Sequence, residues 1–107
     1  MDASNEKVRG MTQEAWNGQE ERGKRILALL REAVAAGDAP DSERAREICT
    51  LHRQWLEGYW PAGAYTPEAH RQLAAAYVAD ERFRAYYNAA SPGAADFLQR
   101  AIETFAR

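Results

Sequence analysis

The side chains best suited to chemistry in this sequence are two imidazoles, His52 and His70, and one thiol, Cys49. Two imidazoles joined by a carboxylate could ligate a metal ion, and a thiol beside an imidazole could act as a nucleophile. Their context argues against both. His52 and His70 fall on separate helical patterns, no cysteine pair has metal-ligand spacing, and there is no GxSxG or glycine-rich strand-to-helix loop. The expectation is therefore no metal, no cofactor and no enzymatic activity. Cys49 reads as a small buried hydrophobe, and His52, at the edge of an apolar face, as a hydrogen-bonded packing residue.

The aromatic side chains stand out more. The stretch LHRQWLEGYWPAGAYTPEAH, residues 51–70, carries Trp55, Trp60, Tyr59, Tyr65 and both histidines. His52, Trp55 and Tyr59 recur at steps of three and four, which stacks them on one side of a helix. Tyr77, Phe83 and Tyr87 follow in the next two segments. One reading makes these rings core filling, since each buries a large area; it fits Trp55, Phe83 and Phe97 best. A tyrosine hydroxyl needs a polar partner, so the run from Tyr59 to Tyr87 beside Trp60 also suits a partly open apolar pocket with polar rims. On that view Trp55 and Leu56 face the core, while Tyr59 and Trp60 lie nearer the groove mouth.

The elements that would position these rings are helices. Thr12 opens a long pattern with an apolar stripe at Trp16, Ile26, Leu27, Leu30 and Val34, interrupted by Gly18 and Gly23 and stopped by AAGDAP. Asp41 or Ser42 caps a second helix with Ala45, Ile48, Cys49, His52, Trp55, Leu56 and Tyr59 on one face. Thr66 and Pro67 start a third over 67–78, Asp80 caps a short fourth, and Ser91 followed by Pro92 repeats the cap-then-proline signal for a fifth. In that last helix Ala94, Phe97, Leu98, Ala101, Ile102 and Phe105 point inward. No segment alternates with a period of two. The expected fold is all-α, about five helices in one domain over 11–107, with 1–10 a loose polar tail.

Composition narrows the partners. Lys+Arg 14 against Asp+Glu 16, a net charge of −2, leaves no basic face for direct nucleic-acid binding. No apolar run is long enough to span a membrane, and MDASNEKVRG lacks the apolar stretch of a secretory signal. A single cysteine cannot form an intrachain disulfide, which suits a cytoplasmic location.

Three segments resemble the successive signatures of the TipAS antibiotic-recognition domain: AAGDAPDSERAREICTLHRQWL, AAAYVADERFRAYYNAASPGAADFLQRAI and, ahead of them, MTQEAW. The likeness runs from Met11 to Arg107, with order and spacing preserved. It implies a globin-like helical fold without haem, whose groove takes up bulky amphipathic antibiotics, cyclic thiopeptides above all. It also implies a place after a winged helix-turn-helix and a dimerising helix in MerR-type transcriptional activators, as the effector-binding domain that reports drug capture. Carried onto this sequence, the groove would include His52, Trp55, Tyr59, Tyr77, Asp80, Phe83 and Tyr87, with Trp16 matching the family's tryptophan at the start of the first core helix.

Two departures bear on mechanism. Members that trap the ligand covalently do so with a cysteine just before the segment matching LAAAY; here Gln72 stands closest to that place, so reversible binding is expected. The family also orders a segment N-terminal to the core over its ligand, and only about ten residues precede the core here. Two alternatives stay open: a protein–protein interaction module whose groove receives a helix or tail, and a stand-alone protein that sequesters the drug.

Overall fold

The computed structural model describes residues 12–107, so the expected tail at 1–10 lies outside the described residues. Thr12 begins the order: its Oγ1 accepts the Ala15 N–H at 3.0 Å and satisfies one of the donors a helix start leaves free. Helix α1, Gln13–Ala36, runs unbroken through both glycines. It ends where Gly37 takes φ 68°, so that Gly37 N–H reaches the Val34 carbonyl and Asp38 N–H that of Ala33. Ser42, rather than Asp41, caps α2, Glu43–Tyr59, by accepting the Ala45 N–H at 3.2 Å. Thr66 caps α3, Pro67–Ala79, and Asp80 caps α4, Glu81–Ala90, through the Arg82 N–H at 2.8 Å.

The fifth start differs from its sequence reading. Helix α5 spans Ala94–Phe105 and is preceded by Gly93 at φ 90°, with no cap from Ser91. Ser91 and Pro92 belong to the turn before it, where the Ser91 carbonyl accepts the Ala94 N–H at 3.0 Å. The side chain that satisfies the new helix comes from α4: Asn88 Oδ1 accepts the Ala95 N–H at 3.0 Å. Capping across elements leaves no mark in a local motif.

Helix α5 is the hub and packs against all four others. Its inward face (Ala94, Ala95, Phe97, Leu98, Ala101, Ile102) is wholly buried, as the 3.6-residue period required. Alanines at contact points, among them Ala33, Ala45, Ala74 and Ala101, are fully buried and let the helices approach closely around Leu30, Ile48, Leu98 and Ile102. Helices α1 and α2 lie antiparallel, pinned at one end by Gln19 Nε2 donating to the Trp55 carbonyl at 2.8 Å and further along by the Arg25–Glu47 pair at 3.5 Å. None of the described helices is long and apolar enough to cross a membrane.

Candidate functional site

Between α1, α2 and the α3–α4 corner the helices leave a groove of about 480 Å³. Gly23, Ile26 and Leu27 form one wall, His52 and Trp55 the floor on α2, Tyr77 the α3 edge, and Arg82, Phe83, Tyr86 and Tyr87 the opposite wall. The volume falls in the range of drug-sized sites, and the walls combine aromatic faces with a few polar groups, the usual character of a small-molecule pocket. Phe83 and Tyr86 are 44% and 58% exposed, so a large part of the rings faces solvent. Rings of that size left uncovered next to a concavity are surface a bound molecule would bury.

Five of the sequence-predicted positions meet here: His52, Trp55, Tyr77, Phe83 and Tyr87. Trp55 does both jobs, packing against the core and lining the groove, whereas Phe83 leaves the core its sequence reading gave it. Phe83 sits one turn before Tyr87 on the same face of α4, and both rings meet Tyr77, but only Tyr87 is buried; Phe83, in the helix's first turn, stays 44% exposed. Phe97, by contrast, is buried as expected.

The other four lie outside the lining. Trp16 is exposed on α1, its indole N–H donating to Glu20 Oε1 at 2.8 Å; it meets Tyr59 edge-on at 6.4 Å, and Tyr59 meets Trp55 edge-on at 5.0 Å. This pair buttresses the floor from behind. Trp60 stacks obliquely on Tyr65, 6.2 Å away, in the loop before α3. Asp80 acts at one remove: besides capping α4 it binds the Arg82 guanidinium at 3.3 Å and 3.4 Å, and those bonds hold its carboxyl below the usual range. Sequence reasoning did not single out Gly23, Arg82 or Tyr86 for the groove, and placed Ile26 and Leu27 only in a core stripe. The signal for Gly23 was present, since a glycine kept in a helix interior asks for a reason.

Beneath the floor lies a buried polar chain. His52 and His70 are 1% and 0% exposed. His52 Nδ1 and His70 Nε2 stand 2.8 Å apart with the rings stacked, and each outer nitrogen meets a tyrosine: His70 Nδ1 the Tyr65 hydroxyl at 2.7 Å, His52 Nε2 the Tyr77 hydroxyl at 3.2 Å. All four ring nitrogens are therefore engaged. Burial above all, with the neighbouring His70, pushes the His52 pKa down to about 3; burial, then the Arg53 charge, pushes His70 down to about 4. Both rings are neutral at neutral pH. Cys49 is buried, its thiol pushed up to about 11 by that burial, and it does not line the groove. Among the described residues no three His, Cys, Asp or Glu side chains gather as metal ligands would.

An all-helical domain with an open aromatic groove has the build of a ligand-binding module. The chain belongs to the TipAS antibiotic-recognition domain family, whose profile its residues 1–105 match. It is 32% identical over 100 residues to the HTH-type transcriptional activator TipA of Streptomyces coelicolor, covering 92% of this chain and 38% of that protein. It is also 32% identical over 92 residues to the HTH-type transcriptional regulator SkgA of Caulobacter vibrioides, covering 86% of this chain and 36% of that one. The chain thus spans less than two-fifths of the regulators it matches. Among solved structures it resembles TipAS from Streptomyces lividans in complex with nosiheptide, part of a thiopeptide antibiotic multidrug resistance system, with a TM-score of 0.72 and 32% identity over 96% of this chain and 71% of that one.

Proposed function

We propose that this domain captures bulky, amphipathic antibiotics, thiopeptides among them, in the groove between α1, α2 and α4, without chemical conversion of the ligand. The observation that carries the reading is the groove itself, about 480 Å³ with half-exposed aromatic walls, in a chain of this family. A macrocyclic peptide is larger than that volume, so the groove holds an apolar part of the ligand while the rest lies across Phe83 and Tyr86. Apolar burial and ring stacking supply most of the affinity, with Arg82 and the tyrosine hydroxyls orienting the ligand. Since no cysteine lines the groove, capture is reversible. In a longer protein carrying a DNA-binding part of the MerR type, capture would act on transcription through that part, in the cytoplasm.

The test is intrinsic tryptophan fluorescence titrated with nosiheptide and a panel of other bulky apolar antibiotics. Trp55 stands in the groove and reports directly. A saturable change that weakens in Phe83→Ala supports the reading. No change with a folded protein, together with capture of a helical peptide in the same groove, would replace it with a protein-interaction role.

A further inference from the structure

We propose that Tyr65 and His70, neither of which lines the groove, are specificity-determining residues for it: with His52 and Tyr77 they form a reversible proton wire that lets the groove floor offer either a donor or an acceptor to its ligand. The inference rests on the ligand-binding reading above, but its central step concerns the protein alone.

A neutral imidazole carries one N–H and one bare nitrogen, while a hydroxyl donates one proton and accepts others. In the chain Tyr65–His70–His52–Tyr77 the central contact joins two ring nitrogens, His70 Nε2 and His52 Nδ1, so one must donate and the other accept. That choice fixes every other contact. If His70 Nε2–H donates, His70 Nδ1 accepts from Tyr65, His52 carries its proton on Nε2 and donates to the Tyr77 oxygen, and the Tyr77 hydroxyl donates to its hydrogen-bond partner Tyr87, whose own proton is left for the groove side. If His52 Nδ1–H donates, His70 carries its proton on Nδ1 and donates to Tyr65, Tyr77 turns its proton inward to His52 Nε2, and its oxygen accepts from Tyr87, whose oxygen alone is left for the groove side. Only two arrangements satisfy all the buried groups, and in each of them both rings hold the same tautomer.

Passing from the first arrangement to the second moves each proton one step along: Tyr65 O–H to His70 Nδ1, His70 Nε2–H to His52 Nδ1, His52 Nε2–H to the Tyr77 oxygen. Tyr77 passes its original proton to the Tyr87 oxygen, Tyr87 releases its own on the groove side and Tyr65 regains one from solvent, so the balance closes with every group neutral. The outer end allows this because Tyr65 is half-buried, its ring held under the Arg53 guanidinium at 4.6 Å, and is reached from the surface. At the inner end Tyr77 and Tyr87 both line the groove, their ring centres 5.0 Å apart and their hydroxyls hydrogen-bonded to each other. A fixed donor in an apolar site leaves a buried group unpaired whenever the ligand is also a donor, which costs the full desolvation of that group. A reversible wire removes that penalty and suits a groove that takes chemically varied ligands.

The experiment is two-bond 1H–15N NMR of histidine-labelled protein at neutral pH, which reads the protonated nitrogen of each ring. The expected result is one shared tautomer, or the same averaging, in His52 and His70; opposite tautomers or a cationic ring would overturn the wire. Tyr65→Phe removes the donor to His70 Nδ1 and its acceptor alike, and a bare ring nitrogen is easier to bury than an unpaired N–H. Both rings should therefore shift towards the Nε2–H form, while a change confined to His70 would count against coupling. Tyr77→Phe should shift both towards Nδ1–H by the same logic, so the two variants check each other should one of them fold poorly. Finally, p-cresol, a donor, and 4-methylacetophenone, an acceptor only, are added at millimolar concentration. Opposite tautomer shifts that reach His70 support the proposal; identical shifts, a silent His70 or no response to either overturn the groove's dual polarity. Failure of nosiheptide to bind while the two rings remain locked together would reject the function above and leave the wire standing.

Discussion

Gly58 on α2 lies so close to Gln19 on α1 that a methyl group on it would sit 2.1 Å from Gln19 Nε2 and 2.3 Å from Cδ. The Gln19 side chain is 2% exposed, and its amide is already committed: Nε2 donates to the Trp55 carbonyl at 2.8 Å and Oε1 accepts from Arg22 at 2.6 Å. This contact sets how near the start of α1 comes to the end of α2, and with it the position of Trp55 in the groove floor.

Gly58→Ala should therefore destabilise the domain even though alanine favours helix. The gain of at most about 1 kcal/mol in propensity is outweighed by displacing Gln19 and leaving buried polar groups unpaired, at roughly 1–3 kcal/mol each. Thermal unfolding should show a lower midpoint than the wild type. A midpoint at or above wild type would mean that α1 shifts freely, and that Gln19 does not tie the two helices.

Gly23 should behave in the opposite way. A methyl group there would meet only Trp55 Nε1, at an ordinary 3.7 Å, so the fold accommodates it and gains about 1 kcal/mol of helix propensity. That methyl group would project into the groove, because Gly23 forms part of its wall. Gly23→Ala is expected to raise the unfolding midpoint and weaken nosiheptide binding together; Gly23→Val should weaken it further. Unchanged affinity in both variants would place the ligand away from the α1 wall.

This glycine shows where the sequence was legible and where it was not. Helix number, order and the caps at Thr12, Ser42, Thr66 and Asp80 followed from local rules, because capping and 3.6-residue periodicity act within a few residues. Five groove residues followed as well, from aromatic spacing and family resemblance. What stayed hidden was non-local. Hydrophobicity alone read Phe83 as core; its groove place came only from the family resemblance, because what covers a ring at a helix start is set by other elements. Asn88 caps a helix other than its own, and His70 reaches His52 only once α3 folds against α2. Nothing in the spacing of the two histidines announces a contact of 2.8 Å.

Phe83 separates binding from stability. Its ring is 44% exposed and touches Tyr77 with ring centres 5.2 Å apart, so Phe83→Ala removes a groove wall and little of the core. Stability should change by less than about 1 kcal/mol, as at other exposed positions, while nosiheptide affinity should fall by roughly 10- to 100-fold if the ring anchors the ligand. Trp55→Ala, by contrast, should lose on both counts, because that ring packs on the core as well. Equal affinity in wild type and Phe83→Ala would move the binding surface elsewhere.

The histidine pair makes a prediction about acid. Burial holds the His52 and His70 pKa values at about 3 and about 4 in the folded protein, whereas in an unfolded chain both titrate near 6.5. Between those limits the unfolded chain binds more protons than the folded one, so lowering the pH favours unfolding. The contribution of the neutral pair is fully present above about pH 6.5 and declines as the pH falls towards 4, on the order of 1 kcal/mol per pH unit for each ring. They are the only two histidines in the chain, so their effect stands out between pH 7 and 5.5, before ordinary carboxylates titrate. Urea unfolding at those two values should show a lower midpoint at pH 5.5 with an unchanged slope. A midpoint independent of pH across that interval would mean that the rings already take up protons in the folded state, and that the chain from Tyr65 to Tyr77 is open to water.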